Sequence, residues 1–169
     1  MTFHFTQEAR STIAAKADAV FAFLDDQASL GGHMEKPTAM MLGGSMHYTF
    51  DDGEGRTVGS VIRMDGKILG LTLTLQEEVT EHEPPRRKVW QTVGTPHILV
   101  VGAYRMGFEI EADGNQSSLR VFIEYDLPAS RLGHFFGLMF ARPYAHWCVS
   151  KMAEDAAKHF KLGHESKTE

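Results

Sequence analysis

The stretch that decides the fold is Leu127–Phe160, which reads LPASRLGHFFGLMFARPYAHWCVSKMAEDAAKHF. After the Leu127-Pro128 step, the pattern predicts one uninterrupted helix over about Ser130–Phe160. Apolar residues recur along this helix in steps of three and four, which is the spacing of a single helix face. That face consists of Phe135, Leu138, Ala145, Val149, Met152, Ala156 and Phe160. We expect it to lie on a sheet formed by the preceding strands.

A second apolar stripe lies on the opposite side of the predicted helix. It consists of Leu132, Phe136, Met139, Phe140, Pro143 and Trp147. Large apolar side chains in this number do not all face water, so the stripe predicts a second partner. A ligand cavity, a covering loop and a second subunit are the alternatives. We predict a homodimer through the N-terminal half of the helix, because charged residues take over this side after Trp147.

Seven stretches with strand character precede the helix and are separated by turn residues. We expect strands at about Phe3–Ile13, Ala39–Phe50, Thr57–Met64, Ile68–Val79, Lys88–Val93, Ile98–Ile110 and Leu119–Leu127. Two short helices are expected after the first strand, at about Ala17–Leu24 and Gln27–Leu30. Asp65-Gly66 is typical of a tight hairpin turn and is expected between the third and fourth strands. The predicted class is therefore α+β, with an antiparallel sheet and a long C-terminal helix.

Composition limits the possible functions. With 169 residues, 43% of them hydrophobic, the chain can form one domain, expected over residues 1–162 with a flexible tail over 163–169. The net charge of -5 argues against nucleic-acid binding. The one notable basic cluster, Arg86-Arg87-Lys88, is typical of a solvated hairpin tip. Cys148 is the only cysteine, and no signal peptide or membrane-spanning stretch is apparent, so a cytoplasmic location is expected.

Four features of the sequence carry a resemblance to a known superfamily. They are Ala17–Asp26 (ADAVFAFLDD), His33-Met34, Val79–Arg86 (VTEHEPPR), and the Leu127-Pro128 step into the helix that bears Trp147. Over nearly its whole length the chain resembles the START-like (SRPBCC) superfamily, especially its polyketide cyclase/dehydrase and lipid-transport branch. The resemblance implies a helix-grip fold, in which a curved seven-stranded antiparallel sheet wraps the C-terminal helix and leaves an apolar cavity. Members of the superfamily include lipid carriers, plant-hormone binders and aromatic-ring cyclases, and they share no universal catalytic motif.

Strand alternation predicts which side chains point into such a cavity, because successive residues face opposite sides of a sheet. Glu77 shares the inward side of its strand with Leu75 and Val79, and it is the one carboxylate that alternation places inside. Burial there would raise the pKa of Glu77 and suit it to general base catalysis. A position at the rim, or pairing with Arg63 or Arg105, is the alternative. The candidate ligand-binding residues are Leu71, Leu73, Leu75, Trp90, Tyr104, Met106, Phe108, Tyr125, Phe136 and Phe140.

Metal binding and nucleophilic catalysis find little support in the sequence. A metal site would need several of the nine histidines to converge, and no close cysteine or carboxylate spacing supports one, so neither a metal nor a cofactor is predicted. Cys148 is typical of a buried structural thiol, and neither Gly43-Gly44-Ser45 nor Val58-Gly59-Ser60 has the strand-turn-helix context of a serine nucleophile.

Two main function classes remain. The preferred one is a protein that binds a hydrophobic or aromatic small molecule, such as a lipid, isoprenoid or polyketide-like compound. The other is a cyclase or dehydratase that acts on such a compound in the same cavity. Binding is preferred because one carboxylate without a clear partner is thin support for catalysis. A third alternative, an interaction module without a ligand, applies if side chains fill the cavity.

Overall fold

A computed structural model describes residues 2–26, 45–68, 71–94, 96 and 100–165. Its elements are β1 (Phe5–Ile13), α1 (Ala17–Asp25), β2 (Ser45–Phe50), β3 (Val61–Ile68), β4 (Leu71–Glu83), β5 (Arg87–Thr92), β6 (Tyr104–Asp113), β7 (Gln116–Tyr125) and α2 (Arg131–Glu165). The strands form one antiparallel sheet in the order β1-β7-β6-β5-β4-β3-β2. The predicted helix-grip class is confirmed. The second short helix expected at Gln27–Leu30, and the start of the strand expected from Ala39, lie outside the described residues.

The hairpin predicted at Asp65-Gly66 is wrong. Both residues lie inside β3, where they pair with Thr74 and Leu73 of β4. The local turn preference of Asp-Gly yields here to the hydrogen-bonded ladder of two long neighbouring strands, because tertiary context outweighs local propensity in sheets. Ile98, the expected start of another strand, lies outside the described residues, and of residues 100–110 only those from Tyr104 onward form strand.

The loop before β3 explains why that strand starts at Val61 and not at Thr57. The Asp51 carboxylate accepts hydrogen bonds from the backbone N–H of Gly53 at 3.0 Å and of Val61 at 2.7 Å. It also accepts one from the Ser60 hydroxyl at 2.5 Å. Because hydrogen bonds to a carboxylate favour its ionised form, they hold the pKa of Asp51 below its ordinary value. The segment before Val61 is therefore tied into a compact turn and cannot extend the strand.

The main core lies between the sheet, α1 and α2. In α1 the buried residues Ala17, Val20, Phe21 and Leu24 follow the spacing of one helix face, and Asp18 in the first turn suits the positive end of the helix dipole. The ring of Phe21 lies 5.4 Å from that of Phe108 on β6. These contacts seat α1 against the middle of the sheet.

The first half of α2 packs through small residues. Gly133, Gly137, Ala141 and Ala145 are buried at steps of four, and a Cβ atom on Gly137 would lie 3.0 Å from Pro128 Cδ. The prediction that Phe135 and Leu138 face the sheet is wrong, since they are 59% and 65% exposed. The helix backbone approaches Leu127 and Pro128 so closely that a Cβ atom at Gly133 or Gly137 would press on its neighbours. The second half of the predicted face agrees better, and its buried members are Ala145, Val149 and Ala156.

Lys88 is not part of a solvated hairpin tip, so that prediction is wrong for this residue. Its side chain is 0% exposed, and its ammonium group donates a hydrogen bond to Asp25 Oδ1 at 2.7 Å. His82 Nε2 lies 3.1 Å from the same carboxylate. Burial lowers the pKa of Lys88, and the hydrogen bond and charge of Asp25 oppose this change. Since Asp25 ends α1, the pair ties that helix to β5.

We expect Lys88→Met to lower the free energy of unfolding by about 3–5 kcal/mol, because it leaves the partly buried Asp25 carboxylate without its closest cation. Arg86→Ala is the matched control: its pair with Glu83 is exposed, and exposed pairs contribute little. Urea unfolding of the three proteins measures the difference. Similar losses for both variants would show that Lys88 does not anchor α1.

Candidate functional site

Glu77 lies in the middle of the sheet, on β4, opposite Ile62 of β3 and Thr92 of β5. It is 4% exposed, and its same-side neighbours Leu75 and Val79 are buried. The burial agrees with the inward position expected from alternation. A register shift follows only after Val79, so it leaves the alternation at Glu77 intact.

Two aromatic side chains from neighbouring strands donate hydrogen bonds to the Glu77 carboxylate. One is the Tyr104 hydroxyl from β6, and the other is the Trp90 indole N–H from β5. The Tyr104 backbone is itself held by Thr92, whose hydroxyl accepts a hydrogen bond from the Tyr104 N–H at 3.1 Å. Arg105, one of the alternative partners predicted for Glu77, binds Glu124 instead. Three adjacent strands thus converge on one carboxylate.

Burial raises the pKa of Glu77 to about 7, against an ordinary value of 4.5. The hydrogen bonds from Tyr104 and Trp90 and the charge of Lys88 oppose this rise. The pKa of Tyr104 is itself raised well above its ordinary value by burial and by the Glu77 charge, so its hydroxyl stays protonated. Near neutral pH the Glu77 carboxyl group therefore exists in both forms and can accept or donate a proton.

Apolar and aromatic side chains surround this group. Ile62, Met64 and Leu75 form a buried cluster, against which Tyr48, Phe50 and Tyr104 pack. The rings of Tyr48 and Phe50 stack with their centroids 6.3 Å apart. The surroundings of Glu77 are therefore mostly apolar and aromatic.

The helix contributes Tyr144 and Cys148 to the same region. They form a side-chain hydrogen bond with each other, and Cys148, burial of the hydroxyl and the charge of Glu77 raise the pKa of Tyr144 well above its ordinary value, although the residue as a whole is 41% exposed. Burial raises the pKa of Cys148 to about 11, so its thiol is protonated at neutral pH and is a poor nucleophile. Tyr144 was not among the site residues predicted from the sequence. Its spacing of four residues before Cys148, which places both on one side of a helix, is the signal that could have found it.

The other predicted ligand-binding residues fall into different places. Leu73 and Leu75 are buried beside Glu77, while the side chain of Leu71 lies outside the described part of the chain. Phe108 is buried in the main core, and Met106 packs against that core. On α2, the half-buried Phe136 stacks on Phe140, which is exposed.

Tyr125 is buried on β7 and stacks on Phe5 of β1, with ring centroids 5.5 Å apart. It lines a cleft of about 380 Å³ between β1 and α2, together with Leu138 and Arg142. Tyr125, predicted to bind ligand, therefore lines this cleft near the exposed part of α2.

The described ranges contain neither a cluster of metal-ligating side chains nor a helix suited to cross a membrane. There, no three His, Cys, Asp or Glu side chains are arranged to hold a metal ion. None of the helices described has the length and apolar character needed to cross a bilayer.

Solved structures with a similar fold include Ara h 8.0201, an aromatase/cyclase and norcoclaurine synthase. Ara h 8.0201 is 13% identical, with a TM-score of 0.61 over 94% of this chain and 98% of that one. The ZhuI aromatase/cyclase from Streptomyces sp. R1128 is 16% identical, with a TM-score of 0.61 over 90% and 93%. Norcoclaurine synthase from Thalictrum flavum, in complex with dopamine and hydroxybenzaldehyde, is 17% identical, with a TM-score of 0.60 over 95% and 87%. At these identities the likeness shows the shared fold alone.

No curated protein matches the chain. The family described as polyketide cyclase / dehydrase and lipid transport matches residues 3–161, which is nearly the whole sequence. That match agrees with the helix-grip architecture and with the apolar surroundings of Glu77. The chain therefore belongs to the polyketide cyclase / dehydrase and lipid transport family.

Proposed function

We propose that the protein binds a hydrophobic or aromatic small molecule between the concave face of the sheet and α2, with Glu77 and Tyr104 as the polar anchor. The observation that carries this proposal is the burial of the Glu77 carboxyl group among apolar side chains, with two aromatic donors aimed at it. A buried carboxyl group lowers stability unless its partners compensate, so its retention in this place favours a role in function. A ligand that shares a hydrogen bond with it would supply such compensation.

The chemistry of the lining favours a lipid, an isoprenoid or a polyketide-like compound. Leu73, Leu75, Ile62 and Met64 offer apolar contact, and Tyr48 and Phe50 offer flat rings against which an aromatic or unsaturated ligand can pack. Polar groups are few, which suits a ligand with one or two oxygen atoms. The family description, which includes lipid transport, supports the same class of ligand.

A cyclase or dehydratase is the second candidate, and the raised pKa of Glu77, about 7, is the observation that favours it. An ionised Glu77 would take a proton from a carbon next to a carbonyl group. It would then return that proton to a departing hydroxyl group, so that the substrate loses one molecule of water and the carboxylate is regenerated. The family description includes dehydrases, and one protein of similar fold is an aromatase/cyclase. Binding stays the first proposal, because the same geometry serves it without a reaction.

The direct test is mass spectrometry of small molecules that remain bound through purification. We expect an apolar compound to accompany the wild-type protein. We also expect Glu77→Gln to weaken its binding by about tenfold or more, since a hydrogen bond to a charged group contributes roughly 1.5–3 kcal/mol.

Glu78→Gln is the matched control, because Glu78 is the next residue on β4 and points to the other side of the sheet. If no compound is carried and none of a panel of fatty acids, isoprenoids and aromatic polyketides binds, the proposal is wrong. Equal losses of affinity in the two variants would show that Glu77 does not contact the ligand, although the protein still binds one.

The pH dependence of stability tests the state of Glu77. Its pKa is raised from 4.5 to about 7 on folding, so the folded state binds the proton more tightly than the unfolded state. The contribution of Glu77 to the free energy of unfolding is therefore greatest below pH 4.5, the pKa of Glu77 in the unfolded chain. This contribution falls by about 3 kcal/mol as the pH rises to about 7. Glu77→Gln lacks this loss, so its unfolding free energy relative to wild type should increase across that window. Urea unfolding in a pH series measures it, with Glu78→Gln as reference; parallel curves for wild type and Glu77→Gln would contradict the burial of a titrating group.

Tyr104→Phe tests the hydrogen bond to Glu77. The Tyr104 hydroxyl lowers the pKa of Glu77, so its removal should raise that pKa further and move the pH-dependent loss of stability upward. NMR titration of the Glu77 carboxyl carbon measures the change directly. Tyr125→Phe is the control. It removes a hydroxyl group from the residue that pairs with Tyr104 across β6 and β7, but this hydroxyl group is not one of the groups that act on the pKa of Glu77. A Glu77 pKa that falls or stays constant in Tyr104→Phe would show that this hydrogen bond does not act on the carboxylate.

A further inference from the structure

The first three turns of α2 present an apolar line to solvent. Arg131, Phe135, Leu138 and Arg142 follow at steps of four, three and four, so they lie along one side of the helix. All four are exposed, and Leu132 and Met139 beside them are exposed as well. We call these six residues the α2 stripe. It is an amphipathic surface with large apolar side chains in the middle and one arginine at each end.

The charge of this segment differs from that of the rest of the protein. The chain has 22 acidic residues and a net charge of -5, yet residues 127–153 contain no aspartate or glutamate. The same residues contain Arg131, Arg142 and Lys151, with His134 and His146 exposed on the helix. An acidic protein therefore carries a locally basic segment, and six of the nine large apolar side chains that are exposed in the described part of the chain lie within it.

We propose that the α2 stripe docks the protein on the surface of an anionic lipid bilayer. A helix with exposed phenylalanine, leucine and methionine can bury these side chains at the boundary between headgroups and acyl chains. Arginine at both ends is attracted to the negative surface of anionic lipids. The cleft beside the stripe extends the apolar surface to the exposed Phe5 of β1. This docking is separate from the proposed binding of a small molecule and does not depend on it.

A second copy of the chain is the other possible occupant, and the homodimer predicted from the sequence would use this half of the helix. In an antiparallel two-fold contact through the stripe, Arg131 of one copy would approach Arg142 of the other. Residues 127–153 supply no carboxylate to offset that repulsion. The phosphate and carboxylate groups of anionic lipids supply the missing negative charge. Charge complementarity therefore favours the bilayer.

The experiment is vesicle flotation of the full chain, with phosphatidylcholine vesicles and with vesicles that also contain phosphatidylserine. We expect stronger binding to the anionic vesicles, and weaker binding as salt is added. Arg131→Gln and Arg142→Gln should each reduce affinity about fivefold, since one basic residue near such a surface contributes ~1 kcal/mol. The double variant Phe135→Ser, Leu138→Ser should reduce it about tenfold or more, because two large apolar side chains no longer insert.

Two variants serve as controls. Val58→Ser removes an exposed apolar side chain from the loop before β3, and Lys158→Gln removes an exposed charge from the other end of α2. Both should bind vesicles like the wild type, and circular dichroism should show that every variant is folded. The proposal is overturned if the wild type does not float with anionic vesicles, or if the controls lose as much binding as the stripe variants. It is also overturned if the wild type is a dimer that the Phe135→Ser, Leu138→Ser variant dissociates, with no loss of vesicle binding.

Discussion

The close approach of α2 to the chain around Leu127-Pro128 is the contact on which the rest of the structure depends. Gly133 and Gly137 provide it, and a side chain on Gly137 would press on Pro128 and Leu127. Because the helix is held there by its backbone, its large side chains are not needed for that contact. They extend instead toward solvent, as Phe135 and Leu138 do. One packing constraint thus accounts for the exposed α2 stripe.

The Glu77 carboxyl group shows how the sheet supports a polar group in apolar surroundings. Desolvation favours its protonated form, while Tyr104, Trp90 and the nearby charge of Lys88 favour the ionised form. Lys88 is in turn held by Asp25 at the end of α1. The state of Glu77 is therefore coupled to a helix on the same side of the sheet, and the binding of a ligand beside Glu77 would alter the electrostatic balance at Lys88 as well.

Particular residues show what could and could not be predicted from the sequence. The inward position of Glu77 could be predicted, because alternation along a strand needs only the strand itself and no long-range information. The burial of Lys88 could not, since it depends on Asp25, which is 63 residues away in sequence. The predicted orientation of α2 was wrong for another reason. Their hydrophobicity marks Phe135 and Leu138 as core residues, whereas the helix packs through glycine and alanine, which carry little hydrophobic signal. The partners of Glu77 also escaped prediction, because three strands must first be paired before Tyr104 and Trp90 meet it.

The residues of α2 that lie near Glu77 and those of the α2 stripe are on different sides of one helix. Tyr144 and Cys148 belong to the region of Glu77, while Arg142, two residues before Tyr144, ends the exposed stripe. A helix turns by about 100° per residue, so neighbouring positions can serve opposite environments without any change in backbone. A bilayer in contact with the stripe would lie within about one helix turn of the Tyr144 side chain. An apolar ligand that leaves Glu77 along this part of α2 would then enter lipid without crossing bulk water, and the unfavourable exposure of its apolar surface would be avoided.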